Sequence, residues 1–500
     1  MKGDAFCFDD AVFTYYVSTQ HHDKFEFRKI FSSRELVVSH TKCTSVLIET
    51  EGDTSVCIIG LCVDSFGEIE RANIPAFLLS CGDIEQLLDK TKRMAGRFAI
   101  LFEKSGAMYA LTDAAGFLSV YYSIDQKKIC LSSCDELIRQ HFGYPFSKES
   151  IVIRNAATYE SHMPHDITMC ENIKALLPNH YLDLTGMKPV RFFPSKEFVD
   201  RYKVAHKAGN YDEMLKRHVN LIDGIISEYT KYYEIVCPVT SGYDSRVNLS
   251  FLRRKIDNLL CYTFTKPSFK EDSGDYYVPP MLCDKIGAEH IAISDVCTSE
   301  EYFGDLKNRI GEYHSKYTAD LAHTFNSKLK GKALVSGCVT EQIGKVCFGN
   351  SGPLFLVTPQ FFLTRYDNYS SLTKKHIKKH MQAIRYHPNA ATHIHDLIGL
   401  ESFCGRWAAQ SPMIYAMMGV NVLNIYNCRE IIEGWMLMPR GIRREKYIHY
   451  KLIEMTTPEL LDVPFNPSKR FERLKANPFT FWVAVHLKWA RGKLRTAGGK

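Results

Sequence analysis

The chain reads as an α+β layered-sheet domain over residues 1–195, followed by an α/β domain with a parallel sheet over residues 205–500. Three observations lead there. A chain of 500 residues exceeds one ordinary core, so two domains are expected. Before residue 195, short apolar-polar alternations are divided by Gly and Asp turns. After Asp212 the apolar period becomes helical, and apolar strands alternate with helices, the pattern of a parallel sheet covered on both faces.

In order, Ser45 to Cys62 alternates around a turn at Glu51-Gly52-Asp53, and Phe98 to Phe102 reads as a buried strand. Met108 to Thr112, Ser119 to Ser123 and Lys128 to Ser132 read as further short strands. Pro189 to Asn210, rich in aromatics, Pro and charge, reads as a connector. Asp212 is the expected cap of a helix whose apolar face is Leu215, Val219, Ile222, Ile226 and Tyr229. Glu234 to Val239 is an apolar strand, followed by a small-residue loop and a helix over Arg246 to Lys255. Strands follow at Leu259 to Phe264, near His290, and at Ala333 to Ser336; a helix from Gly274 to Ile286 contains Pro279 and Pro280. From Leu372 onward the chain reads mainly helical.

The apolar share of 45% and charged share of 24% are those of an ordinary folded protein. Sixteen scattered cysteines, with no C-x-x-C pair and no zinc spacing, fit a reducing compartment. With no signal architecture at Met1 to Asp4 and no apolar run long enough to span, the expectation is a cytoplasmic protein without a membrane span. Phe479 to Ala490 is apolar but short and interrupted by Lys488, so it reads as a buried or surface-lying helix. Residues 469–500 hold nine Lys or Arg and the single acid Glu472, so they carry +8 and the rest of the chain sums to −1. Such a tail can bind nucleic acid or an anionic membrane surface, or be a solvated end that helps hold an anionic substrate. The last is the expectation, and no nucleic-acid partner is expected.

The chemistry centres on Val239-Thr240-Ser241-Gly242-Tyr243-Asp244-Ser245-Arg246. A small-residue turn between a buried strand and a helix is where an open parallel sheet holds its ligand. Ser241 and Gly242 let backbone amides approach an anion, Thr240 and Ser245 add hydroxyls, and the helix start adds partial positive charge. Asp244 would repel a phosphate, so its role passes through a cation, and Mg2+ takes one or two carboxylates plus phosphate oxygens. No G-x-x-x-x-G-K-[ST] or G-x-G-x-x-G sequence serves this loop.

Thr240 to Arg246 resembles the S-G-G-x-D-S loop of the ATP pyrophosphatases, with surroundings similar to the asparagine synthetase family. Thr240 and Ser241 stand for that pattern's first Ser and first Gly. Cys261-Tyr262-Thr263-Phe264-Thr265 resembles the family's second strand, whose end lies near the adenine; Asp275 and Lys285 to His290 resemble the next helix and strand. Ser336-Gly337-Cys338-Val339-Thr340-Glu341-Gln342 resembles a degenerate S-G-x-G-x-D-E motif, in which Glu341 keeps a carboxylate and Gln342 loses one. Arg406 and Met418-Gly419-Val420 resemble the helical segment at the acceptor site. Glu445-Lys446-Tyr447-Ile448 and Pro458 to Lys469 resemble the region of the catalytic Lys, with Lys469 first and Lys446 second. The resemblance thus implies an adenine nucleotide α-hydrolase-like fold. Thr240, Ser241, Gly242, Asp244, Ser245, Phe264, Thr265 and Gly337 would bind ATP, Asp244 and Glu341 the Mg2+, and Lys469, Lys446 and Glu341 would serve catalysis.

Gly96 to Ile100, Asp113, Gly116, Val120-Tyr121-Tyr122 and Ile173 to Leu182 resemble the glutaminase-like first domain of asparagine synthetases, an N-terminal-nucleophile (Ntn) fold. There the nucleophile is a Cys directly after the initiator Met, acting with its own α-amino group. Here Lys2 follows Met1, and Cys7 would serve only after removal of six residues. The resemblance therefore implies a degenerate Ntn glutaminase-like domain that helps folding, forms a homodimer or shapes the acceptor site. The whole is similar to β-lactam synthetase, lasso-peptide cyclase and polysaccharide-assembly members. The expected activity is ATP- and Mg2+-dependent adenylation of a carboxylate on a small molecule, peptide or sugar, then amide formation with an amine. Glutamine- or ammonia-dependent amidation, and a nucleotide-binding regulatory protein without catalysis, are the alternatives.

Overall fold

The alternating stretches of the first half pair into antiparallel ladders because each offers one apolar face per two residues. The computed structural model describes residues 11–125, 129–156, 163–265, 273–294, 296–311, 315–346, 356–466 and 477–498. Among the described residues twelve strands precede residue 195: β1 (Tyr15–Ser18), β2 (Phe27–Phe31), β3 (Leu36–His40), β4 (Val46–Glu51), β5 (Thr54–Asp64), β6 (Met94–Lys104), β7 (Ala107–Thr112), β8 (Tyr121–Ser123), β9 (Cys130–Ser132), β10 (Ile173–Ala175), β11 (His180–Asp183) and β12 (Lys188–Arg191). They form two six-stranded sheets, ordered β10-β8-β9-β1-β3-β2 and β12-β11-β7-β6-β5-β4.

Every residue of β5 is buried. Val56, Ile58 and Cys62 pack with Ile74 and Leu78 of the helix Ile74–Leu79. Cys57, Ile59, Leu61 and Val63 face the other way, into a core shared with Tyr15, Val17 and Val38 of the other sheet. Tyr16 and Cys130 on that sheet's far side pack with Leu137 and Ile138 of the helix Asp135–Phe142. The layers therefore run helix, sheet, sheet, helix.

Pro189 to Asn210 is not only a connector. It contains β12 and a helix, Lys196–Ala208, started by Ser195, whose hydroxyl accepts from the Phe198 amide at 3.1 Å. That helix buries only Phe198 among its residues, so it shows no broad apolar stripe. The helix Asp212–Tyr229 buries Leu215, Val219, Ile222, Ile226 and Tyr229 as the spacing predicts, but Asp212 lies in its first turn and Tyr211 is the cap. Asp212 instead accepts from the Tyr447 hydroxyl at 2.8 Å.

The second half is built on a five-stranded parallel sheet of β13 (Glu234–Pro238), β14 (Leu260–Phe264), β15 (Glu289–Ile293), β16 (Lys332–Val335) and β17 (Asn421–Leu423). Its order is β15-β14-β13-β16-β17. The chain winds one way from β13 to β15, then returns to the other side of β13 for β16 and β17. Loops after β13 and β16 thus leave the sheet in opposite directions and open a crevice between them. The sequence reading has no strand at Asn421; three residues beside a buried helix carry too little pattern to be seen. Wide helical turns of the π type, with one extra residue in each hydrogen-bonded turn, occur at Thr340–Gly344 and Gly399–Ala408.

One apolar cluster runs through both halves, from Val12 to Val463. A polar seam accompanies it. The buried Asp113 carboxylate accepts from the amides of Phe117 and Leu118 and from the Asn427 side chain at 2.8 Å. Arg429 donates to Asn179 at 2.6 Å, Asn179 donates to Glu401 at 2.9 Å, and Arg191 pairs with the same carboxylate. Among the described residues no helix is long and apolar enough to cross a membrane.

Candidate functional site

A cavity of about 410 Å3 opens at the carboxyl ends of β13 and β16, at the reversal of winding. Thr240, Asp244 and Ser245 line it from the loop and helix after β13, and Ser336, Gly337, Cys338 and Glu341 from the segment after β16. Tyr262 and Phe264 of β14 and Trp407, Pro412 and Tyr415 supply an apolar wall. Thr240, Asp244, Ser245, Phe264, Gly337 and Glu341, named from sequence across a hundred residues, share this one cavity. Gly337 lets the two segments approach closely: a Cβ at that position would lie 3.1 Å from the Asp244 Cβ.

The helix after the loop begins at Tyr243, not Arg246: Gly242 is still extended at φ −79° and ψ 178° and serves as its cap. Gly242 brings no side chain to cap that helix start. Its first turn therefore presents peptide dipoles toward the loop. Within the loop, Ser245 Oγ accepts from the Thr240 amide at 3.1 Å, and Asp275 Oδ1 accepts from the Ser241 amide and hydroxyl at 2.8 and 2.7 Å. The Gly242 amide donates to Thr240 Oγ1 at 3.3 Å. Ser241 and Gly242 thus shape the loop and lie outside the cavity lining. Thr265 also lies outside it, bonding through its amide and hydroxyl to the Ile293 carbonyl at the end of β15.

Asp244 is the electrostatic centre. Oδ1 accepts from Thr340 Oγ1 at 2.9 Å and lies 3.0 Å from His449 Nε2, and Oδ2 pairs with the Lys345 ammonium. Burial pushes the Asp244 carboxyl up, but His449 and Lys345 outweigh it and hold the group well below the ordinary carboxylate range. Lys345 and His449 were not named from sequence. No motif flags them: one lies four residues past Glu341, the other three past Lys446.

Lys446 stands apart. It sits at φ +62°, caps the helix Tyr447–Thr456, and holds its ammonium 5.6 Å from the Tyr243 ring centre, outside the cavity lining. Lys469, like Lys2, Cys7 and Lys128, lies outside the described residues. The chain leading toward Lys469 is nonetheless anchored on the loop helix. Arg246, fully buried, donates to the carbonyls of Leu460, Val463 and Pro464 at 2.9, 2.6 and 2.7 Å and stacks 3.6 Å from the Phe465 ring centre. The Asn466 amide donates to the Ser241 carbonyl at 3.2 Å.

Gln342 turns away from the cavity. It is 1% exposed, and neither its amide oxygen nor its nitrogen has a partner. Arg406 is buried, donating to the Tyr121 hydroxyl and the Ile167 carbonyl of the first half at 3.2 and 2.8 Å. Its neighbour Trp407 faces the cavity instead. Among the described residues no three His, Cys, Asp or Glu side chains cluster as a metal cage. The chain matches no protein-family model and no curated protein.

Proposed function

We propose that the chain is an ATP- and Mg2+-dependent ligase of the asparagine synthetase-like kind, which adenylates a carboxylate and joins it to an amine. The observation that carries this is the shared cavity: the loop Thr240 to Ser245, the segment Ser336 to Glu341 and Phe264 converge at the reversal point of the sheet. The strand order supports an adenine nucleotide α-hydrolase-like second half. The helix-sheet-sheet-helix layering supports an Ntn glutaminase-like first half.

ATP would lie with its base against Phe264 and the apolar wall and its pyrophosphate toward the loop and helix start. The substrate carboxylate attacks the α-phosphorus and pyrophosphate leaves. The amine then attacks the acyl carbon, giving an amide and AMP. The residues act by positioning and charge neutralisation. Two hard carboxylates lining one cavity, one of them held ionised, fit a magnesium ion bound with phosphate oxygens. Asp244 and Glu341 would hold it, and it would neutralise the charge of the leaving pyrophosphate. Lys345 now supplies the positive charge at Asp244 and would compete for it.

Of the described cysteines of the first half, Cys57, Cys62, Cys81, Cys130, Cys134 and Cys170 are buried and poor nucleophiles, and Cys43 is exposed but sits within the chain with no α-amine of its own to act as base. Burial pushes the thiols of Cys130 and Cys170 up to about 12. This supports an amine carried by a substrate rather than ammonia released from glutamine. The test is pyrophosphate release from Mg–ATP across carboxylate and amine panels, run with glutamine, with ammonia and with neither. Glutaminase activity in the purified protein would overturn the nitrogen assignment. Nucleotide binding with no pyrophosphate release on any panel would favour a second reading, a regulatory nucleotide binder. The Lys345–Asp244 pair, which occupies the carboxylate meant for metal, is the observation on its side.

A further inference from the structure

The helix Pro478–Gly498 has two apolar faces, and packing accounts for one. Phe481 meets Phe361 at 5.6 Å between ring centres, Val485 is buried, and Gly492 lies against the Tyr369 ring. On the opposite side Phe479, Leu487 and Leu494 are 67%, 60% and 73% exposed. They lie eight and seven residues apart, so they form one stripe along the helix. Ala490 is exposed on the same stripe, and Arg491 and Lys493 are exposed beside it, while Lys488 turns back to the Thr364 carbonyl at 3.1 Å and Asp367 at 3.8 Å. No Asp or Glu occurs from Pro478 to Lys500.

A solvent-facing side of a packed helix is ordinarily polar. Here it is apolar with basic flanks, the arrangement of a helix lying in the plane of a membrane interface. We propose that the exposed face of Pro478–Gly498 docks this protein on an anionic lipid surface, with Phe479, Leu487 and Leu494 entering the acyl boundary and the flanking cations meeting the headgroups. A second copy of the helix fits less well, since two such faces would bring like charges together with no acid to pair them. RNA fits less well too: stacking uses successive aromatic rings, and the stripe sets Phe479 beside aliphatic Leu487 and Leu494, while Trp482 is already stacked on His486 at 3.9 Å and Trp489 lies under Lys374 at 4.8 Å. The inference is independent of the ligase reading.

The test is co-sedimentation of the full chain with vesicles of phosphatidylcholine alone and of phosphatidylcholine with phosphatidylglycerol. The wild type should bind the anionic vesicles and not the neutral ones. The double substitution Leu487→Glu with Leu494→Glu, at exposed sites and with melting temperature checked, should weaken binding by more than about tenfold. Tyr386→Glu, which removes an 82% exposed ring elsewhere, should bind like wild type. The proposal is overturned by no binding to anionic vesicles, by equal binding of the double variant, or by a dimer that the double variant dissociates while vesicles capture neither form. Binding to homopolymeric RNA without vesicle binding does so as well.

Discussion

Replacing Asp244 by Asn removes one charge while keeping the side-chain shape. An oxygen remains for Thr340 and His449, now at 2.9 and 3.0 Å, and the ion pair with Lys345 is lost. The Asp244 side chain is 21% exposed and that of Lys345 27%, so solvent takes up part of the loss. The stability cost is about 1–2 kcal/mol, between that of a surface and a buried pair. If the carboxylate holds the cation that neutralises pyrophosphate, turnover falls at least about a hundredfold, or about 2.7 kcal/mol at the barrier. Asp244→Ala is the poorer probe. It leaves Lys345 and the fully buried His449 facing a gap, at a cost of about 3–5 kcal/mol, and mixes unfolding with chemistry. The assay is pyrophosphate release at saturating Mg–ATP, run beside a thermal melt. A folded Asn variant that releases pyrophosphate at half the native rate or faster would refute the role given to Asp244.

Three further outcomes are expected. Arg246→Met should lower stability by about 3 kcal/mol, because the three carbonyls of 460–464 lose a charged donor; chemical denaturation reads it, and a change below about 1 kcal/mol would mean the segment holds by other contacts. Gly405→Ala should cost about 2 kcal/mol in the same assay, since its Cβ would lie 2.5 Å from the Pro178 ring, and a neutral result would show that this contact yields. Acid should destabilise the protein between pH 6.5 and 4. Burial holds His180 and His22 neutral, down to about 4, so the unfolded chain binds more protons in that window and stability falls as pH drops through it. His180 alone contributes at most about 3 kcal/mol. Asp244 and Glu401, both depressed, add their losses only below the ordinary carboxylate range. A urea midpoint unchanged from pH 7 to pH 4.5 would contradict this.

Period and punctuation made most elements readable. The alternation around Glu51-Gly52-Asp53 is the β4–β5 hairpin, and the spacing from Leu215 to Tyr229 is one buried helix face. β17 was hidden because three residues cannot establish a period, and Lys196–Ala208 because its only buried residue is Phe198. The cavity was legible where small and acidic residues follow strands, as at Thr240, Asp244 and Glu341. Its electrostatics were not. Lys345 and His449 reach Asp244 from 101 and 205 residues away, and nothing local distinguishes them from other charged side chains. Gln342 reads as a lost acid in sequence, yet it faces the interior rather than the cavity, because direction within a π-type turn does not follow the helical period.

The bond between Asp113 and Asn427 spans 314 residues. During synthesis the first sheets can assemble long before Asn427 leaves the ribosome. Until then a carboxyl that ends almost wholly buried lacks the side chain that closes over it, and the apolar faces meant for the second half stay bare. The nascent chain thus carries an unfinished, sticky surface through most of its translation, and the waiting time is set by the rate of elongation rather than by the rate of folding.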